Sequence, residues 1–322
     1  MSQKINNTSF SNAYIWGKGA ENQNSIPKII WSFWDSNTRS NLVELCIANF
    51  KKFAPDFEII ILNTKISHII FNDQNSGSTF KQWEKGINIA KGDWIWIAES
   101  DDFCEPTLLK NLIDPIINNA NIGISYCQSV FVNYTSNALN PYKSTDEILK
   151  IFPKENYIEE KLIPYNSIVN ASMAIFRKDL FFKITREFTK YRLAGDWIFW
   201  AEMSRLADVA ICGKFLNYFR QHDIKVSNHT KKEGLNYIEE IKALQYFKST
   251  LMLSKELYEE ALIKHYFRFK YNKFPFKEGV IKKTDSLFKA NCTIKMKSKI
   301  KKQIIHDKIL YQYIPKLLKL IS

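Results

Sequence analysis

Lys91-Gly-Asp-Trp-Ile-Trp-Ile-Ala-Glu-Ser-Asp-Asp102 is the stretch on which the fold turns. Trp94 to Ala98 form an unbroken apolar run of five residues. A run of that length suits a parallel strand covered on both faces better than a half-exposed one. It ends abruptly in acid: Glu99, Asp101 and Asp102 follow, and Pro106 suits the first turn of a new helix. In an open α/β sheet, ligands bind at the carboxyl ends of the strands. Carboxylates there supply the hard oxygen ligands that Mg²⁺ or Mn²⁺ takes together with a substrate's phosphates. The competing reading is a solvated acidic loop that caps the following helix.

Upstream, Lys28-Ile-Ile-Trp-Ser-Phe-Trp34 reads as a strand and Glu58-Ile-Ile-Ile-Leu62 as the next one. Between them Asn41 and Glu44 resemble a capping box, and Leu42, Val43, Cys46, Ile47 and Phe50 recur at helical spacing until Pro55. This is a β-α-β unit, from which a parallel sheet is wound. After a short apolar run, Ile66 to Phe71, the turn Asn75-Ser-Gly-Ser78 starts a helix. Its buried face is Phe80, Trp83, Ile87 and Ala90, and Gly92 is placed to end it.

Downstream, Leu108, Leu109, Leu112 and Ile113 continue the helix opened by Pro106, and Ile122 to Cys127 form a strand. From Gln128 to Asn166 periodicity is lost, the pattern of a binding loop or lid. Met173-Ala-Ile-Phe176 is a strand, and Gly195-Asp196 precede a helix with Trp197, Ile198, Trp200, Ala201 and Met203 on its apolar face. Asp196 there is a candidate N-cap. Val209 to Cys212 and Leu216 to Phe219 read as a closing pair of strands that ends in Arg220-Gln-His222. Beyond Asn228 long helical patterns dominate, over roughly 233 to 248, 254 to 272 and 294 to 321, with Pro315 interrupting the last. The expected organisation is a polar leader over 1–26, an α/β domain over 27–229 and a basic helical region over 230–322.

The net charge of +13 resides largely in lysines of a chain also rich in Ile and Asn, so their clustering matters more than the total. They cluster at Lys295, Lys297, Lys299, Lys301 and Lys302, ahead of Ile309, Leu310, Ile314, Leu317 and Leu318. Such a helix lies on an anionic membrane surface or packs its apolar face on the protein. No nucleic-acid-binding motif accompanies the charge. Five widely spaced cysteines, odd in number and without a Cys-x-x-Cys pair, indicate neither a zinc site nor a disulfide framework and fit a reducing compartment. The start lacks an apolar signal core and no apolar run spans a bilayer, so the expected location is the cytoplasm, including the cytoplasmic face of the inner membrane.

With these pieces placed, the middle of the chain resembles family 2 glycosyltransferases of the GT-A fold. The resemblance is carried by Asn75 to Trp83, Gly86 to Asp102, Asn170-Ala-Ser-Met-Ala-Ile-Phe-Arg-Lys178, Ala194-Gly-Asp-Trp-Ile-Phe-Trp200 and Leu216-Asn-Tyr-Phe-Arg-Gln-His222, in that order. Ile26 to Asp35 and Phe53 to Glu58 resemble instead the opening of capsular-polysaccharide synthesis proteins and of family 32 glycosyltransferases.

The resemblance implies an α/β, Rossmann-like nucleotide-sugar-binding domain with a C-terminal helical extension. It implies a metal-dependent transferase that moves a sugar from a nucleotide-sugar, a UDP-sugar first, to a growing surface glycan such as capsule, O-antigen or lipooligosaccharide. Glu99, Asp101 and Asp102 would meet Mn²⁺ or Mg²⁺ and the donor, with Asp101 or Asp102 as direct ligand and His222 as a further one. Asp196 would be the general base, and Arg220 would meet the diphosphate. Gln82, with Lys81 and Trp83, lies in a segment near the donor, and Asn170 and Lys178 border the acceptor pocket. Where the family carries an acidic pair after the second strand, this chain has Leu62-Asn63-Thr64, and Asn63 offers a base edge both donor and acceptor. Direct displacement would invert the anomeric centre. The alternatives are a retaining capsular-type transferase and an inactive sugar-nucleotide or glycan-binding protein.

Overall fold

In a computed structural model of the chain, the residues described are 29–33 and 58–62 for the main chain, then 78–99, 102–133, 137–221, 233–272, 276–277 and 279–308. The helix expected over 41–54, the run Ile66 to Phe71 and the leader 1–26 lie outside them. The chain divides into two compact units, the first Met1–Lys154, Ile168–Ile184 and Leu206–Gln221, the second Glu155–Ser167, Thr185–Arg205 and His222–Ser322.

The first unit holds one mixed sheet. Its strands are β1 (Ile29–Phe33), β2 (Glu58–Leu62), β3 (Trp94–Glu99), β4 (Phe103–Cys104), β5 (Ile122–Val132), β6 (Ala138–Tyr142), β7 (Leu149–Phe152), β8 (Ala174–Arg177) and β9 (Asp208–Arg220). They run in the order β2-β1-β3-β8-β5-β9-β4, with β6 paired to β5 and β7 to β9. β1 is parallel to both β2 and β3, as a β-α-β start requires. Ile95, Trp96, Ile97 and Ala98 of β3 are all buried, which is why that strand carries no polar alternation. Helices α1 (Thr79–Ile89) and α2 (Leu108–Ile117) precede and follow β3 and β4.

Several boundaries differ from expectation for local reasons. α1 ends at Ile89, three residues ahead of Gly92, and the Lys178 ammonium donates to the carbonyl of its C-cap Ala90. Helix α2 starts at Leu108 rather than Pro106, because Phe103 and Cys104 first pair with Tyr218 and Asn217 of β9. The segment 128–166 is not a structureless lid: β5 runs on to Val132, and β6 and β7 add antiparallel edges. β6 is mostly exposed and contains Pro141, which an edge strand tolerates, so it shows no buried-face pattern.

The closing pair of strands is one strand, β9, parallel to β5 with register shifts around Gln128. Gly213 bridges the two apolar runs, and a Cβ added there would meet the Glu147 carbonyl oxygen at 1.9 Å. Main chain cannot yield cheaply, so Gly213→Ala is expected to cost about 2 kcal/mol of stability. A urea-unfolding midpoint equal to that of the natural chain would contradict this.

The second unit is helical, with α3 (Gly195–Ser204), α4 (Leu235–Thr250), α5 (Lys255–Lys270), α6 (Val280–Ala290) and α7 (Ile294–Lys308). Trp197, Ile198, Phe199, Trp200, Ala201 and Met203 of α3 are all buried, together with Glu202 and Ser204, so burial extends beyond the expected apolar face. α6 escaped the sequence pattern because it buries only Thr284 and Phe288, one contact stripe a single turn long. α7 buries Met296 and Ile300 while Lys295, Lys297, Lys299, Lys301 and Lys302 stay exposed. Its expected continuation through Pro315 lies outside the described residues. Among those residues no helix is long and apolar enough to cross a membrane.

Candidate active site

The carboxyl end of β3 is built by its neighbour. β8 runs antiparallel to β3, so the turn that leads into β8 lies beside the acids that end β3. That turn is a 3₁₀ segment, Ala171–Met173, capped by Asn170, whose Oδ1 accepts the Ser172 N–H at 3.1 Å. The Trp96 indole donates to the Ser172 carbonyl at 2.8 Å and the Glu99 N–H to the Ser172 hydroxyl at 2.9 Å, locking strand and turn together.

One amide joins the acids. Asn170 Nδ2 donates to Glu99 Oε2 at 2.9 Å and to Asp102 Oδ2 at 2.7 Å. Asp102 Oδ2 also accepts from the Ser172 hydroxyl at 2.8 Å, and Oδ1 from the Arg220 N–H at 3.0 Å. Asn217, fully buried on β9, donates to Asn170 Oδ1 at 3.1 Å and to the Ser129 hydroxyl at 2.9 Å. The result is a buried polar network that gathers β3, β5, β8 and β9 around an acid pair. Hydrogen bonds to a charged group contribute roughly 1.5–3 kcal/mol each, so this network fixes the pair firmly.

Asp102 is 3% exposed and its oxygens are engaged inward. Its role in the fold is a brace for β4 and β9, and the turn that carries it is closed by its own N–H on the Glu99 carbonyl at 3.1 Å. Asp101, Asn63 and His222 lie outside the described residues. Among the described residues no group of three or more His, Cys, Asp or Glu side chains is placed to hold a metal ion. The donors that do converge, the carboxylates of Glu99 and Asp102, are hard oxygens of the kind Mg²⁺ and Mn²⁺ take, so the chemistry of the pair fits such an ion.

The other expected donor contacts are inward-facing. Arg220 is 3% exposed; its guanidinium lies over the Phe103 ring at 5.4 Å and donates to the Asn133 carbonyl at 3.4 Å. Gln82 and Trp83 are buried on α1, Trp83 edge-on to Phe80 at 5.2 Å, so Trp83 belongs to the core. Asn170 serves the acid pair, and Lys178 the end of α1.

Asp196 belongs to the second unit and is not the N-cap of its helix. Ala194 holds that position, without a side-chain cap, and Asp196 sits within the first turn. Its Oδ1 accepts the Trp197 N–H at 2.8 Å and its Oδ2 the Asn166 amide at 2.9 Å. Burial pushes its carboxyl up to about 7, against the lowering effect of those two donors, and the Glu239 charge adds to the rise. A carboxylate that titrates near neutrality is suited to take a proton and release it again. Asn166, Ser172, Asn217 and Glu239 were not singled out by the sequence, since each acts through contacts with residues distant in the chain.

Comparison with known proteins agrees with this architecture. Residues 49–184 match the profile of Glycosyl transferase family 2, a match that begins beyond Ile26–Asp35. An uncharacterized glycosyltransferase of Haemophilus influenzae is 28% identical over 182 residues, 55% of this chain and 55% of that protein. The chain thus matches only about half the length of this curated relative. Residues 1–349 of S. aureus TarS superpose with a TM-score of 0.51 at 13% identity, over 76% of this chain and 73% of that one. A second crystal structure of S. aureus TarS gives 0.53 at 14% identity, over 76% of this chain and 44% of that one. TarS 1–349 in complex with UDP-GlcNAc gives 0.51 at 13% identity, over 76% and 73%. At such identities the structural likeness concerns the fold, a GT-A fold with a helical C-terminal region, within which residues 49–184 are similar to glycosyl transferase family 2.

Proposed function

We propose that this chain transfers a sugar from a UDP-sugar to a hydroxyl of a growing surface glycan, with inversion at the anomeric carbon. The observation that carries the reading is the meeting of Glu99 and Asp102 on one Asn170 amide at the carboxyl end of β3, inside the segment that matches the family. A UDP-sugar is the preferred donor because TarS, of like fold, has been crystallised with UDP-GlcNAc.

Breaking the bond between the anomeric carbon and the diphosphate oxygen leaves charge on the nucleotide that must be neutralised. A bound Mn²⁺ or Mg²⁺ supplies that as Lewis acid and template. Asp101 and Glu99 would hold the ion, with His222 as a further ligand, while the Asp102 oxygens are engaged inward. Asn63 is assigned to the base edge. Gln82 and Arg220, both buried, are assigned to the donor side. Asp196 accepts the proton of the acceptor hydroxyl as its oxygen bonds to the anomeric carbon and the diphosphate departs. The exposed lysines of α7 are assigned to drawing the enzyme to an anionic, cytoplasmic membrane face where lipid-linked acceptors reside.

A thermal-shift panel of UDP-, GDP-, dTDP- and CMP-sugars, with and without Mn²⁺, tests the donor assignment. Ligand at 100 times its Kd adds about 2.7 kcal/mol of apparent stability, so a UDP-sugar with Mn²⁺ is expected to give the largest rise. A flat response across the panel would remove the enzymatic reading, and a retained anomer in the product would remove inversion.

A further inference from the structure

Glu239 sits on α4 and is 7% exposed. Its carboxylate collects the main-chain N–H groups of three consecutive residues: Arg192 at 2.9 and 3.2 Å, Leu193 at 2.7 Å and Ala194 at 2.9 Å. Successive N–H groups that converge on one point form a concave nest of positive partial charge, and bonds from such groups to a carboxylate are charge-assisted. Here the nest is filled from within the protein. Its last donor, Ala194, is the N-cap of α3, two residues ahead of Asp196.

We infer that Glu239 is a positioning residue for Asp196, holding the 192–194 turn and thereby the first turn of α3 in the orientation that the proton acceptor requires. The inference rests on Asp196 being the base. It also gives the C-terminal helices a part in the chemistry: a carboxylate on α4 sets the turn from which the base projects. Beside the geometry, the Glu239 charge acts on Asp196 directly and opposes its ionisation. The other groups on the Asp196 carboxylate, Asn166 and Trp197, are neutral, and His265 stacks on the Trp197 ring at 5.1 Å.

The test compares the full chain with Glu239→Gln and Asp196→Asn. It reads main-chain hydrogen exchange at 192–194 and UDP release from UDP-GlcNAc with Mn²⁺ across pH. Glutamine keeps one acceptor oxygen but turns an N–H₂ toward the nest, so exchange at 192–194 is expected to quicken by about tenfold. kcat is expected to fall about tenfold from misorientation, with the KM for UDP-GlcNAc unchanged. With the Glu239 charge gone, the rising limb of the pH profile is expected to move to lower pH. Unchanged exchange in Glu239→Gln overturns the inference whatever the activity. Faster exchange with kcat and pH limb both unmoved also overturns it, because the contact would then be structural only. A fully active Asp196→Asn enzyme instead overturns the base reading, on its own evidence.

Discussion

Asp196→Asn is expected to lower turnover by about 10³-fold, the scale of a lost general base, while donor affinity stays within twofold of the natural chain. The same substitution is expected to stabilise the protein above neutral pH. The carboxyl titrates near 7 when folded and near its ordinary value of about 4 when unfolded, so between those values the folded state holds the extra proton. Stability therefore declines as pH rises through that window, by about 4 kcal/mol at most once both states are ionised. Asparagine carries no such burden, and its Oδ1 can still accept the Trp197 N–H. Chemical unfolding at pH 5 and pH 8 checks the sign: the variant should gain on the natural chain at the higher pH. A variant that is inactive and also destabilised at pH 8 would show that Asp196 holds the fold and not the proton.

The second large effect is expected at Asn170. Its amide is the shared donor of two carboxylates, and its oxygen takes the Ser172 and Asn217 N–H groups. Asn170→Asp replaces that donor with a third anion in contact with the pair. A buried charge left without compensation costs roughly 3–5 kcal/mol, and the midpoint of urea unfolding should fall accordingly. Combining it with Asp102→Asn restores a donor between positions 102 and 170, and should recover most of the loss. Recovery only in the double variant identifies the contact; equal instability of both would assign the effect to the 3₁₀ turn alone.

How far the sequence could be read depends on the range of the interactions involved. β3 was legible because a strand buried on both faces writes an uninterrupted apolar run, and the acids that end it mark its carboxyl end. The parallel start was legible from two such runs separated by a helical period. β6 and β7 were not, because edge strands bury little and their exposure erases alternation. The fusion of two expected strands into β9 hid behind Gly213, which looks like a breaker until its close approach to Glu147 is seen. Asp196 was found by motif, but its place within the first turn of the helix depends on Ala194 taking the cap. Asn170, Asn217 and Glu239 were invisible as partners: their long-range contacts join residues between 45 and 88 positions apart, and no spacing rule reaches that far.

The central claim is that the acidic turn at the end of β3, through Glu99 and Asp101, serves the diphosphate of a nucleotide by way of a divalent ion. Calorimetric titration of the full chain with UDP, in Mn²⁺ and then in excess chelator, tests it most directly, with Glu99→Gln measured alongside. The account predicts binding that weakens at least about tenfold on chelation and in Glu99→Gln, a difference of about 1.4 kcal/mol. UDP affinity that is indifferent both to the metal and to Glu99 would contradict it.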